Sequence, residues 1–109
     1  MNRSLLLAWS SPVTGREADF DEWYDSTHIP QVRAALPEVR EVDRYRLVDP
    51  GVSGEPVRYL AVYQLDTDDV ATAAGALGEA ATTGAIDMSD ALDTTAAPPV
   101  LQWLVKHTD

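Results

Sequence analysis

The chain has 109 residues, 45% of them hydrophobic, with 18 acidic against 8 basic residues and a formal net charge of −10. That length suits one domain over residues 1–109, and the negative field argues against nucleic acid or an anionic membrane surface as a partner. The absence of cysteine excludes a disulfide framework, a thiolate nucleophile and a thiolate metal site.

Ser4–Ser10 (SLLLAWS) is a continuous apolar run, as expected of a strand covered on both faces. Its apolar core is shorter than the roughly 7–15 residues of a signal peptide. No stretch approaches the ~18 apolar residues of a membrane span, so the expectation is a soluble, cytoplasmic protein. After the turn "PVTGR", a helix is predicted from about Glu17 to His28. Phe20, Trp23, Tyr24 and Thr27 fall on one face at i, i+3, i+4 and i+7. Glu17, Asp19, Asp21 and Glu22 stand early, where the helix dipole favours negative charge. Pro30 predicts a stop at Ile29, with "QVRAALP" adding a further turn.

Val39–Asp49 alternates as a strand does and ends in the turn "DPGVSGEP". Val57–Leu65, rich in valine and tyrosine, is the next strand, and the eight-residue connection makes the pair an antiparallel hairpin. "DTDD" supplies N-cap candidates for a second helix over about Val70–Ala80, whose alanines with Gly75 and Gly78 imply close packing or marginal stability. Positions 81–99 read as a long irregular stretch with one short helical turn, a candidate lid. Val100–Lys106 is a last strand. The order β-α-β-β-α-β predicts an α+β, ferredoxin-like domain: a four-stranded antiparallel sheet with helices on one face. The other face carries apolar side chains, which a second copy would cover.

His28 suits general acid–base work near neutral pH. Its neighbourhood offers two opposed effects, a helix C-terminus that favours the charged ring and burial that favours the neutral one. From spacing alone, a histidine that caps the last helix carbonyls is the simpler reading. His107 lies three residues from the end and is given no role. Trp9, Trp23, Trp103, Tyr24, Tyr59 and Tyr63 are core material that could also wall a pocket for a flat, apolar ligand. In "DRYR", Arg44 and Arg46 share one strand face, and Asp43 and Tyr45 the other. An arginine there most often makes a rim or dimer ion pair; reaching a pocket, it could hold a carboxylate or phenolate oxygen. Asp25 and His28 supply at most two metal ligands, and no phosphate loop, dinucleotide fingerprint or nucleophile elbow occurs, so no metal or cofactor is expected.

"FDEWYDSTHIP" resembles the first-helix signature of the EthD-like branch of the dimeric α+β barrel superfamily, and "VDRYRL" resembles its second strand. The resemblance implies a homodimer whose two sheets close a barrel, with His28 lining a pocket between sheet and helices. Similar proteins include muconolactone-type isomerases, aromatic polyketide cyclases and cofactor-free quinone-forming monooxygenases, and fold alone does not choose among them. Unlike the cyclases, this chain has no second mid-chain histidine. The leading expectation is a cofactor-independent cyclase, isomerase or dehydratase acting on a small aromatic, lactone or polyketide-like substrate. His28 would be its general base or acid, oriented or assisted by Asp25, Tyr24 or Tyr45. A monooxygenase of an electron-rich phenol and a non-catalytic binding protein are the alternatives.

Overall fold

Along β1 (Ser4–Ser10) Ser4, Leu6, Ala8 and Ser10 are buried, while Leu5, Leu7 and Trp9 between them are half-buried. This alternation sets one face of the sheet under the helices and leaves the other open, so the expected cover on both faces is found on one. The structure is a computed structural model that describes residues 3–48, 50–51 and 57–107. β2 (Val39–Arg46), β3 (Tyr59–Leu65) and β4 (Val100–Val105) complete an antiparallel sheet in the order β2-β3-β1-β4. β2 and β3 form the expected hairpin. Asp49 and residues 52–56 of its turn lie outside the described residues. The strands keep their predicted positions but end earlier, at Arg46 and Val105, and β3 begins at Tyr59.

The first helix does not stop at Pro30. α1 (Glu17–Trp23) runs through a π turn (Tyr24–His28) into α2 (Ile29–Ala35), and Ile29 keeps helical dihedrals of φ −59°, ψ −47°. Two facts explain the continuation. Proline has no N–H to give, and its ring crowds the carbonyl four residues back only when the turn is α-helical. In the π turn the Ile29 N–H donates to the Tyr24 carbonyl, five residues back, which widens the helix just before the proline. The extra residue also moves the buried stripe. Phe20, Tyr24, Val32 and Leu36 face the core, with partly buried His28 between them, while Thr27, expected on that stripe, is only half-buried.

α3 (Val70–Thr82) starts at Asp69, whose carboxylate accepts from the Thr72 N–H at 3.1 Å and the Thr72 hydroxyl at 2.8 Å. It turns Ala73 and Ala80 to the core. Gly75 and Gly78 face outward, with no atom within 4 Å of where a Cβ would stand, so alanine, not glycine, permits the close approach. The long stretch after α3 is anchored at several points. Ile86, Ala91 and Leu92 are buried, Leu92 bridges Pro12, and the one expected turn is closed by the Leu92 N–H on the Ser89 carbonyl. The Asp93 carboxylate gathers the N–H groups of Thr95, Ala96 and Ala97.

Arg44 ties the helical layer to the edge strand. Its guanidinium carbon lies 4.6 Å from the centre of the Tyr24 ring, 5.2 Å from Tyr59 and 5.6 Å from Phe20. The same group donates to Asp21 at 2.9 Å and Asp25 at 3.3 Å. Both carboxylates are about half exposed, so water screens those pairs to well under about 1 kcal/mol each. The stacked, desolvated guanidinium and its buried stem outweigh them. Arg44→Ala should therefore lower unfolding stability in urea by about 2 kcal/mol, and Asp21→Asn or Asp25→Asn by less than about 1 kcal/mol. Arg44→Lys, which keeps charge and loses the flat face, should recover less than half of the difference.

Candidate functional site

Between the helical layer and the sheet lies a cavity of about 190 Å³. Leu6, Ala8 and Ser10 of β1 and Tyr63 of β3 form its floor, Trp23, Tyr24, His28 and Val32 one wall, and Leu77 and Ile86 the opposite side. Ala81, Met88, Leu92, Pro99 and Leu101 complete it, so the 81–99 stretch does line the cavity. None of the described residues around it carries a formal charge at neutral pH, given a neutral His28. Asp87 fastens that stretch to the helices: its N–H donates to Gln31 Oε1, its carboxylate accepts from Gln31 Nε2, and its carbonyl accepts from Trp23 Nε1, at 2.6, 2.9 and 2.9 Å.

The π turn delivers His28 to this wall. Its imidazole stacks on Trp23, with centroids 4.5 Å apart and 29° between planes, and meets the edge of Tyr24 at 4.9 Å. Nδ1 is buried without a protein hydrogen-bond partner. Burial lowers the ring's pKa from 6.5 to about 4, and no carboxylate offsets it. The ring is therefore neutral at pH 7, a proton acceptor and not a C-cap.

Three buried hydroxyls lie together between the helical layer and the sheet. Ser10, Tyr24 and Tyr63 have relative exposures of 4%, 3% and 1%. The Tyr24 hydroxyl interacts with those of Ser10 and Tyr63 on either side of it. Burial pushes both phenols above their ordinary pKa, so they stay protonated and able to donate.

Of the residues singled out in the sequence, His28, Trp23, Tyr24 and Tyr63 meet around this cavity. Trp9 borders it only at its place between Ala8 and Ser10, because its indole lies on the open face and donates to Gln102 there. Tyr59 shares the helix-covered face but stacks on Phe20, away from the cavity, and Trp103 packs against the core. Arg44 is held by Asp21 and Asp25, the rim pairing read in "DRYR". Two expectations need correction. Asp25 does not orient His28, since it is exposed and bound to Arg44. Tyr45, 55% exposed, points from the open face and cannot assist His28 in this cavity, because strand alternation sends it opposite to Arg44. Sequence reasoning misses Ser10. Its only signal is a polar residue on the same strand face as Leu6 and Ala8.

No family model matches the chain, and no curated protein matches it. Among solved structures, an ethyl tert-butyl ether D (EthD) family protein from Bacillus halodurans is similar, with a TM-score of 0.55 and 17% identity over 95% of this chain and 99% of that one. An EthD-like protein from Ralstonia eutropha gives a TM-score of 0.48 and 20% identity over 94% and 91% of the two chains. The family that the first-helix motif resembles is that of the Bacillus halodurans neighbour, and at 17% identity the likeness is one of fold. Among the described residues, no helix is long and apolar enough to cross a membrane, and no group of three or more metal-ligating side chains is gathered.

Neutral burial of His28 has a consequence for stability. Its folded pKa of about 4 lies below the ordinary 6.5, so the unfolded chain binds more protons between those values. Stability falls as pH drops through that window, by up to roughly 3 kcal/mol, and the loss levels off below it. Urea unfolding of the native chain and of His28→Gln at pH 7 and pH 4 should show the native chain losing about that much more.

Proposed function

We propose that the protein takes a small, largely apolar molecule into the cavity between helices and sheet and moves a proton on it, with His28 as general base. Enolisation of an aromatic ketone, lactone or polyketide-like compound, followed by isomerisation, cyclisation or dehydration, is the chemistry this arrangement suits. The observation that supports it is a His28 ring, held neutral by burial, in the wall of an apolar cavity.

A base whose conjugate acid has a pKa of about 4 is weak on its own. Beside a forming enolate the balance shifts, because the new negative charge favours the imidazolium that has just formed. The apolar walls strengthen that attraction by keeping the local dielectric low. Trp23, stacked on the ring, fixes its plane, and the Asp87 clasp on Trp23 and Gln31 holds the opposite wall in place. Positioning of this kind is what makes one base effective.

Hydrogen exchange in D2O tests the reading whatever the natural substrate is. Over a panel of cyclic ketones and lactones followed by NMR, the native protein should accelerate loss of the α-proton for at least one compound. His28→Ala should lower that rate by roughly 10²–10⁴ with unchanged circular dichroism. Exchange that persists in the variant would remove His28 from the mechanism, and binding without exchange would leave a binding protein.

We further propose that a second copy covers the open sheet face. Leu5, Leu7 and Trp9 are only half-buried there, and Tyr45, Leu47, Val100 and Leu104 are exposed. So many apolar side chains on one open sheet face are seldom left to water. Light scattering at micromolar concentration should return twice the mass of one chain; a monodisperse monomer would contradict the pairing.

A further inference from the structure

The cavity meets solvent where its lining residues are themselves exposed. These are Ala81 in the last turn of α3, Met88 and Pro99 of the 81–99 stretch, and Leu101 of β4. None of the four is charged or carries a side-chain hydrogen-bond donor, although 24% of the chain is charged. Met88 and Leu101 are 62% and 52% exposed, so the opening is edged by large apolar side chains standing in water. The rim is also held in place from both ends. Asp87 is clasped to Gln31 and Trp23 immediately before Met88. The Arg58 guanidinium donates to the carbonyls of Ala97 and Pro98, at 3.4 and 3.3 Å, immediately before Pro99. The charged neighbours thus serve as fasteners, and the edge they position is left apolar.

From this opening we infer that Ala81, Met88, Pro99 and Leu101 form an alkyl-binding subsite. The protein then selects an uncharged one-ring compound bearing a hydrocarbon chain, with the ring inside and the chain across Met88 and Leu101. The inference deepens the proton-transfer reading and rests on it only for the role of His28; the subsite stands on the chemistry of the opening.

Three features fix the ligand class. The volume, about 190 Å³, exceeds by little the roughly 150 Å³ of an apolar cavity that holds benzene. One ring fits, and the rest of a larger ligand must leave through the rim. No lysine or arginine lines the cavity, so a carboxylate would be desolvated there without a counter-charge. A polar substituent crossing the rim would likewise lose water and gain no partner. A hydrocarbon chain instead passes from apolar wall to apolar rim, gaining roughly two- to fourfold in affinity for each methylene covered. Because the rim is already fastened, little ordering of the protein offsets that gain.

Acetophenone, butyrophenone, hexanophenone and octanophenone keep one ring and one carbonyl while the chain lengthens, and benzoate supplies the charged control. Titrated at pH 7 and followed by tryptophan fluorescence, affinity for the native protein should rise roughly two- to fourfold per added methylene. The rise should level off once the chain clears the rim, and benzoate should not bind detectably. Met88→Gln and Leu101→Gln make the rim polar at exposed sites, so circular dichroism should be unchanged. Each should leave acetophenone affinity within about twofold and cost octanophenone about tenfold. Flat affinity along the series, a chain gain that survives in both variants, equal loss of short and long ketones, or benzoate binding would overturn the subsite. A fall in mass by light scattering in Leu101→Gln would overturn it too, since the rim would then belong to a contact between two copies. His28→Ala separates this from the proton-transfer reading: it should suppress α-proton exchange while keeping the gain with chain length. Failure of the exchange test with that gain intact would sink the catalytic role alone, and exchange without the gain would sink the subsite alone.

Discussion

The widened turn at Tyr24–His28 is the constraint on which the site depends. In an uninterrupted α-helix each four-residue step advances a side chain by about 40° around the axis. Phe20, Tyr24, His28, Val32 and Leu36 are four such steps, and by the last the stripe would have rotated most of the way to solvent. The added residue of the π turn takes back that drift, so Val32 and Leu36 remain buried and His28 comes to the cavity wall. The same widening accommodates Pro30. One local departure from helical regularity thus solves a backbone problem and a placement problem together, as π bulges at functional sites commonly do.

Much of the fold is legible because strand signals here are strong and local. The alternation in VRYLAVYQL and the apolar run in SLLLAWS leave few alternatives, and the order of elements then selects the sheet topology. The end of the first helix is misread when Pro30 is weighed by its effect on α geometry, and nothing in a 3.6-residue repeat announces a π turn. The four-residue spacing of Phe20, Tyr24, His28, Val32 and Leu36 is present in the sequence and is the overlooked sign. Gly75 and Gly78 mislead in a similar way, since glycine on the exposed side of a helix says nothing about packing.

For the site, residue type is informative and partnership is not. His28, Trp23, Tyr24 and Tyr63 can be named because aromatics and histidine are conspicuous. Asp25 and Tyr45 suggest themselves as helpers through nearness in sequence and through chemistry, and the structure assigns them elsewhere: Asp25 to Arg44, Tyr45 to the open face. Ser10 is invisible because serine is common and only its burial opposite Tyr59, on the face it shares with Leu6 and Ala8, makes it unusual. An imidazole held neutral weakens the folded state as pH falls below 6.5, and Arg44, clamped over three rings beside Tyr24, contributes rigidity to the helical layer that carries it.

The chemistry requires His28 to be an uncharged base inside the cavity. Nitrogen NMR of the protein labelled at histidine tests this most directly, with His28→Gln identifying which signals belong to His28. At pH 5.5 the His28 ring should show one protonated and one unprotonated nitrogen and should titrate near pH 4. A ring with both nitrogens protonated at pH 5.5 and a midpoint at the ordinary 6.5 would place it in water and contradict the account.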